Sequence, residues 1–289
     1  MANTIALAKT YVSNLDEVYK LASVTGDLNA DATMVRAGAN AKEIIYPQIS
    51  VKGLGNYDRN GGYTSNSVKL EWKTATFDYD RGTKIAVDTQ DNAESMNIAF
   101  GMAGAELMRT KVAPEADAYT FAKIAGTTGI SKVSEDYESA EAFLTALLKA
   151  VTKMDEDEVP SEQRILYATP TLLNSVKALD TSKSREALQG FEKVVPVPAT
   201  RFYTKIKLLS GKDTELDGGF QKATDGHVIN FLIVHKPAVM KWDKHTVSDV
   251  IPASNNIESD SDVLKYRKYG IVDVYQNKVA GIYLSASAK

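Results

Sequence analysis

Apolar residues recur every three or four positions from Ile5 to Ala22, which is the spacing of one face of an α-helix. Tyr11 and Leu15 lie on this stripe. The pattern then loosens through residues 25–27 and 38–40, so it predicts a short amphipathic helix on a loose tether. The stripe must be buried, either against the chain's own core or, as the more specific hypothesis, against another subunit through Tyr11 and Leu15.

A long two-stranded ribbon is predicted over residues 44–88, because apolar and polar residues alternate along both of its arms. Pro47 cannot donate a hydrogen bond to a neighbouring strand, which places its strand at an edge. A ribbon of two strands is marginally stable alone in water. We therefore expect it to lie on a neighbouring molecule, with Trp72 among the contact residues.

The segment that joins the two arms, residues 53–66, contains four glycines and several asparagines. Loops of this length are usually functional or disordered. The predicted contact residues in this loop are Leu54, Tyr57, Arg59 and Tyr63.

Helical periodicity returns from Asp91 to Gly126, with Glu94 completing an N-terminal capping pair and Pro114 predicted to kink the helix. The clearest helix covers residues 138–154, and the four acids of Asp155–Glu158 are expected to form a solvated loop after it. The shorter predicted elements are strands at Arg164–Ala168 and Phe231–His235, a helix at Pro170–Leu179, and a hairpin of Tyr269–Val274 and Val279–Leu284 that turns at Gln276–Lys278.

The composition is that of a folded, water-soluble chain: 289 residues, 44% hydrophobic and 25% charged, with no cysteine. The absence of cysteine excludes disulfides, thiolate catalysis and cysteine-bound metals, and it suggests folding in a reducing cytoplasm. No signal peptide or membrane span is predicted. Residues 91–160 are acidic and residues 161–289 are basic, so copies of the chain could meet with opposite fields facing, with Arg267 on the basic side.

No group of residues assembles a nucleophile, a base and an orienting partner, so we predict no catalytic residue and no enzyme activity. The three histidines have no ligand spacing, and the acidic turn that begins at Asp213 resembles a calcium loop but has Thr224 where a bidentate acid is required. Asp78 and Asp80 could share a strand face, but solvation is the better interpretation of this pair. We therefore expect no metal and no cofactor.

Several stretches resemble the major capsid proteins of tailed bacteriophages with the Hong Kong 97 fold. They are Ala113–Ala125, Arg164–Pro170, Val197–Tyr203 and Tyr269–Tyr283. The resemblance implies an α+β fold with five regions: an N-arm at 1–42, an E-loop ribbon at 43–88, a P-domain with a long spine helix at 89–132, a mixed α/β A-domain at 133–252, and P-domain return strands at 253–289. It also implies that Asn277 lies near the three-fold contacts between capsomers.

The function implied by this resemblance is that of a structural protein whose copies form an icosahedral shell around double-stranded phage DNA, located in the virion after assembly in a bacterial cytoplasm. The implied partners are the chain itself, as hexamers and pentamers, a separate scaffolding protein, a portal protein, the packaged DNA through non-specific contacts, and in some cases a decoration protein. No membrane partner is expected. Two alternatives stay open: an encapsulin-type compartment of the same fold, and an adhesin or carbohydrate-binding module.

Overall fold

The computed structural model describes residues 23–29, 36–37, 42–63, 67–89, 104, 106–215 and 217–288. The predicted N-terminal helix, with Tyr11 and Leu15, lies outside this range, as do Asp91 and Glu94. The described helices are α1 (Ala113–Gly126), α2 (Ala140–Glu156), α3 (Pro170–Ala178) and α4 (Ser182–Gln189). The described strands are β1 (Arg36–Ala37), β2 (Glu43–Val51), β3 (Val68–Thr76), β4 (Tyr79–Asp88), β5 (Ser131–Ser134), β6 (Arg164–Ala168), β7 (Lys193–Pro196), β8 (Ile206–Leu208), β9 (Phe220–Lys222), β10 (Ile229–His235), β11 (Val239–Ile251), β12 (Ser261–Val274) and β13 (Ile282–Ala286).

A mixed five-stranded sheet, in the order β5-β13-β10-β6-β7, forms the centre of one domain. Its three central strands, β13, β10 and β6, are largely apolar and almost wholly buried, because both faces of the sheet are covered there. One face packs against α2 and α3 through a core that includes Phe143, Leu147, Leu173 and Phe231. The predicted strands β6 and β10 and helices α2 and α3 are confirmed, and Ser139 caps α2 with its side chain.

A second sheet, in the order β11-β12-β4, supports the helix that leads into α1. Met108 and Val112 of that helix pack on Leu264 and Tyr266 of β12. The prediction that residues 44–88 form one ribbon is wrong at its C-terminal end, because β4 pairs with β12 over ten residues instead. The alternation in β4 is real, but it reflects one covered and one open sheet face rather than a ribbon arm.

The chain around Pro114 is helical on both sides of the proline, but the type of helix changes just before it. Residues Met108–Val112 form a π-helical turn that passes directly into α1, so Pro114 lies in the first turn of a regular α-helix. A proline is tolerated there because the N–H that it lacks would have no partner in the α-helix. The π-helical turn and α1 are continuous, and because such turns are themselves common sites of helix bending, the kink at Pro114 stays a prediction.

The predicted C-terminal hairpin is also wrong. Residues 269–274 lie in β12, and Gln276–Gly281 form a 3-10 helix that carries the chain across to β13 in the other sheet. Each strand is apolar because it supplies a different core, and pairing with each other would have left both of those cores incomplete. Asn277 therefore lies on a crossover and not in a hairpin turn.

The acidic loop after α2 is shorter than predicted, because Asp155 and Glu156 still belong to the helix. Asp155 pairs at 2.7 Å with Arg164, whose side chain is 2% exposed. Arg164 Nε also donates to the carbonyl of Pro160 at 2.8 Å. These contacts explain why an acid is tolerated in the last turn of the helix: it neutralises a buried guanidinium.

Residues 23–29 are held against α1 by a buried carboxylate. Asp117 is fully buried and accepts hydrogen bonds from the Ser23 hydroxyl (2.9 Å), the backbone N–H groups of Val24 (3.1 Å) and Thr25 (3.2 Å), and the Thr25 hydroxyl (2.7 Å). Arg201 adds an ion pair at 3.1 Å. On the other side of Thr25, Lys241 Nζ donates to its carbonyl (3.0 Å) and its hydroxyl (2.7 Å).

Lys241 gives this anchor a measurable pH dependence. Burial, and after it the charge of Lys268, lower the pKa of Lys241 to about 8, although the carboxylates of Asp117, Asp243 and Asp27 act in the opposite direction. Because the pKa in the folded state lies below that of an unfolded lysine, the unfolded chain binds more protons at intermediate pH. We expect the free energy of unfolding to rise with pH between about 8 and 10.

Urea unfolding across this pH window measures the effect, with Lys241→Met as the variant in which the rise should flatten. Lys193→Met is the matched control, because Lys193 contacts the same 23–29 segment through Asp27 but is half exposed. An equal slope in all three chains would contradict this assignment.

Candidate subunit interface

The ribbon formed by β2 and β3 has an apolar face that the rest of the described subunit does not cover. The strands pair antiparallel, with Pro47 opposite Trp72, Ile49 opposite Leu70, and Val51 opposite Val68. All six side chains are exposed, Val51 and Val68 to about two thirds of their surface. Directly opposed side chains on one face of an antiparallel pair contact each other. The result is a continuous apolar strip, which we call the outer face of the ribbon.

The opposite face of the ribbon contacts its own subunit. Ile44 and Ala75, which pair with each other, are buried near Met240 and Ile271. Further along, the Tyr46 and Tyr275 rings meet edge to face at 5.2 Å. This inner face therefore fixes which side of the ribbon is presented outward.

Asn277 contacts the middle of the ribbon on its inner face. Its carbonyl accepts a hydrogen bond from Gln48 Nε2 at 2.5 Å, and its own amide donates to the carbonyl of Ile49 at 3.4 Å. The crossover between the two sheets thus reaches the inner face of the ribbon. Within the described chain, Asn277 acts as a support of the ribbon.

Aromatic rings pack around the base of the ribbon, at the short connection between β3 and β4. Phe77 is buried and lies 5.6 Å from the ring of Trp242 and 5.1 Å from that of Tyr269. The next residue, Asp78, accepts hydrogen bonds from Tyr119 and Lys123 of α1. These contacts tie the ribbon to both the β11-β12-β4 sheet and helix α1.

The tip of the ribbon contains a compact turn, residues 57–63. The backbones of Asp58 and Gly62 exchange reciprocal hydrogen bonds at 3.2 and 2.7 Å, and the rings of Tyr57 and Tyr63 lie 4.9 Å apart. Gly62 has a φ of +78°, a left-handed conformation that favours glycine. Tyr63 is 90% exposed, and Leu54 is fully exposed. Large apolar groups at a solvent-exposed tip indicate a contact surface.

Three charged residues of β3, Lys69, Glu71 and Lys73, pair with Ser50, Gln48 and Tyr46 and so lie on the same side of the ribbon as its inner face. Glu71 is flanked by Lys69 and Lys73, and its hydrogen bonds with Lys69 and then Lys73 lower the pKa of its carboxyl below the usual range. The carboxylate is therefore ionised over the physiological range, and the local charge alternates in sign.

Five of the nine predicted contact residues are exposed on the strands of the ribbon or at its tip. Leu54, Tyr57, Arg59, Tyr63 and Trp72 are all exposed on the ribbon. Arg267 lies elsewhere, on β12, where it forms two hydrogen bonds with Asp80 at 2.9 and 2.7 Å within the same subunit.

The prediction of contact residues did not include Ile49, Val51, Val68 and Leu70, although the alternation of β2 and β3 contained the signal.

The candidate cation sites of the sequence are occupied by contacts within the chain. Asp78 accepts a hydrogen bond from Lys123, and Asp80 accepts one from Arg267, so the two carboxylates have different basic partners. The turn that begins at Asp213 is a 3-10 segment in which Glu215 pairs with Lys207 at 2.5 Å. In the described ranges, no three histidine, aspartate or glutamate side chains are grouped as metal ligands would be. No helix in the same ranges is long and apolar enough to cross a membrane.

No family model matches the sequence, and no curated protein matches it. Solved structures do match over nearly the whole chain. A capsid structure of the cyanophage P-SCSP1u is 15% identical, with 93% of this chain and 89% of that chain covered at a TM-score of 0.59. The mature capsid of bacteriophage PhiM1 is 13% identical, with 86% and 82% covered at a TM-score of 0.56.

This chain has the Hong Kong 97-type fold of phage capsid proteins. A virus-like particle from Pyrococcus furiosus is similar as well, at 11% identity and a TM-score of 0.59, with 96% and 98% of the two chains covered. The predicted α+β capsid fold is confirmed. The boundaries of the five regions stay predictions.

Proposed function

We propose that this protein is a major capsid protein whose copies assemble into a closed icosahedral shell around phage double-stranded DNA. The observation that carries the proposal is the outer face of the ribbon, an apolar strip that a folded monomer leaves in water. The Hong Kong 97-type fold, matched to capsid structures along most of the chain, supports it.

Burial of the outer face supplies the driving force. Fully burying one large aliphatic side chain contributes roughly 1.5–3 kcal/mol, so the strip and tip together favour association even after the entropy cost of docking. The inner face of the ribbon already contacts its own subunit through Tyr275 and Asn277, so the outer face is the one available to the next subunit. A head-to-tail contact, in which the outer face lies on a different surface of the neighbour, closes into rings when the rotation permits, and this suits capsomers of five or six subunits.

The proposed role is structural, with no catalytic step. The partners that we propose are other copies of the chain as hexamers and pentamers, a scaffolding protein, a portal protein, packaged DNA held by non-specific contacts, and a decoration protein where the shell requires one. The proposed location is the virion, after assembly in the host cytoplasm. Asn277 would act through its contacts with the ribbon, and Arg267 through its ion pair with Asp80. The proposed contact residues between subunits remain Tyr11, Leu15, Leu54, Tyr57, Arg59, Tyr63, Trp72, Arg267 and Asn277.

Assembly of the purified chain tests the proposal. We expect rings, tubes or closed shells by negative-stain electron microscopy, and fast-sedimenting species in the ultracentrifuge, with a scaffolding protein added where the chain alone is insufficient. Compact monomers at high concentration under both conditions would contradict it. Particles isolated from the native source separate the two shell functions: nuclease-protected double-stranded DNA supports a phage capsid, and enclosed protein cargo without DNA supports a compartment.

A further inference from the structure

The tip of the ribbon contains a reactive dipeptide. Asn60 and Gly61 form the one Asn-Gly pair in the sequence, and both residues are exposed in the turn between Asp58 and Gly62. Asn-Gly is the sequence in which an asparagine side chain most readily reacts with its own backbone. The reason is steric: glycine has no Cβ to obstruct closure of a five-membered ring onto the following nitrogen.

The turn leaves the reacting groups available. The backbone N–H of Asn60 donates to Asp58 Oδ1 at 3.0 Å, which orients the turn through its backbone. Within the described residues, neither the Asn60 side-chain amide nor the Gly61 N–H takes a hydrogen-bond partner. Since both groups are also in water, nothing holds the amide away from the nitrogen that would attack it.

We propose that Asn60 is a site of spontaneous deamidation. The Gly61 backbone nitrogen loses its proton and attacks Cγ of Asn60; a C–N bond forms, and the side-chain nitrogen leaves as ammonia. Water then opens the resulting succinimide. Attack at the side-chain carbonyl gives aspartate, and attack at the main-chain carbonyl gives isoaspartate, in which the backbone runs through the former side chain. The sum is one asparagine and one water giving one acid and one ammonia, with no oxidant or cofactor.

Deamidation would alter the tip in two ways. It places a second carboxylate beside Asp58, and the isoaspartate product lengthens the backbone inside a turn that two reciprocal Asp58–Gly62 hydrogen bonds close. Like charges that cannot separate destabilise a compact turn. Where the tip contacts a neighbouring subunit, as the proposed function requires, a deamidated free subunit should assemble poorly, so this reaction would mark subunits that have stayed unassembled.

Peptide mapping by mass spectrometry tests the site in the intact free chain, incubated at mildly alkaline pH. We expect the conversion of Asn60 to exceed that of every other asparagine, with isoaspartate as the larger product. Asn56 is the internal control, because it lies in the same exposed loop but is followed by a tyrosine. Equal rates at Asn56 and Asn60, or no conversion at Asn60 over many days, would overturn the proposal.

Gly61→Ala tests the mechanism. A Cβ at Gly61 would lie 3.0 Å from Asp58 Oδ2, the end of a flexible side chain, and Gly61 does not need a positive φ, so the turn should survive. We expect deamidation to slow by an order of magnitude or more, and an unchanged rate would overturn the mechanism. Asn60→Asp then tests the consequence: it should assemble more slowly than the native chain. Equal assembly would refute the effect on assembly, while failure of the native chain to assemble would instead contradict the proposed function.

Discussion

A chain that carries Leu70→Lys and Trp72→Lys should fold as the native subunit does and should fail to assemble. Both residues lie on the outer face of the ribbon, are about half exposed, and take no part in the buried base of the ribbon. Substitutions at such positions usually change the free energy of unfolding by less than about 0.5 kcal/mol. At an interface, however, each lysine would have to bury a charge, which costs far more than the apolar contact contributes.

Sedimentation velocity and electron microscopy measure this loss, and thermal unfolding of the monomer checks that the fold is intact. The matched control is Ile257→Lys, because Ile257 is the fully exposed aliphatic residue of the loop between β11 and β12, far along the chain from the ribbon. We expect the control to assemble as the native chain does. Normal assembly of the double variant would show that the outer face is not the contact surface.

Asp117→Ala should produce the largest loss of stability. The substitution removes the acceptor for four hydrogen bonds from residues 23–25 and leaves Arg201 without its ion-pair partner at this position. Removing one partner of a buried pair costs about 3–5 kcal/mol, because the remaining charge and donors stay desolvated. The 23–29 segment should also detach, which fast amide hydrogen exchange at Val24 and Thr25 would report.

Urea unfolding in the Leu70→Lys, Trp72→Lys background measures this effect on the monomer, without a contribution from assembly. Asp27→Ala is the matched control: Asp27 belongs to the same segment and pairs with Lys193, but that pair is largely in solvent. Pairs of this kind contribute at most about 1 kcal/mol. A loss at Asp117 no larger than that at Asp27 would contradict the role assigned to the buried carboxylate.

Elements whose sequence pattern reflects their own immediate surroundings could be predicted from the sequence. Helix α2 has a single apolar stripe and a serine cap, and in strand β6 four apolar residues follow Arg164 and precede the helix that begins at Pro170. The two faces of the ribbon follow from the alternation of both arms, and the exposed tip residues follow from the glycine-rich loop between them.

Elements whose structure depends on partners far away in the sequence could not be predicted from the sequence. The alternation of β4 is the same whether it continues the ribbon or joins β12, and only the partner strand, about 180 residues later in the chain, decides between them. In the sequence, Asp117 is indistinguishable from a surface acid of a helix, yet it is buried by the 23–29 segment, which lies more than 90 residues earlier in the chain. Likewise, β12 and β13 are close in sequence and both apolar, but they supply different sheets.

The attachment of the ribbon has a geometric consequence. Its strands are nine residues long and span about 30 Å from the aromatic cluster around Phe77, but Tyr275 and Asn277 support the inner face only as far as Gln48 and Ile49. The ends of the strands and the tip lie beyond that support. A small bend just past Ile49 therefore moves the tip while every contact between the ribbon and its own subunit is kept. One sequence can thus meet neighbours at different inclinations, as the five-fold and six-fold positions of the proposed shell require, without a second set of contact residues.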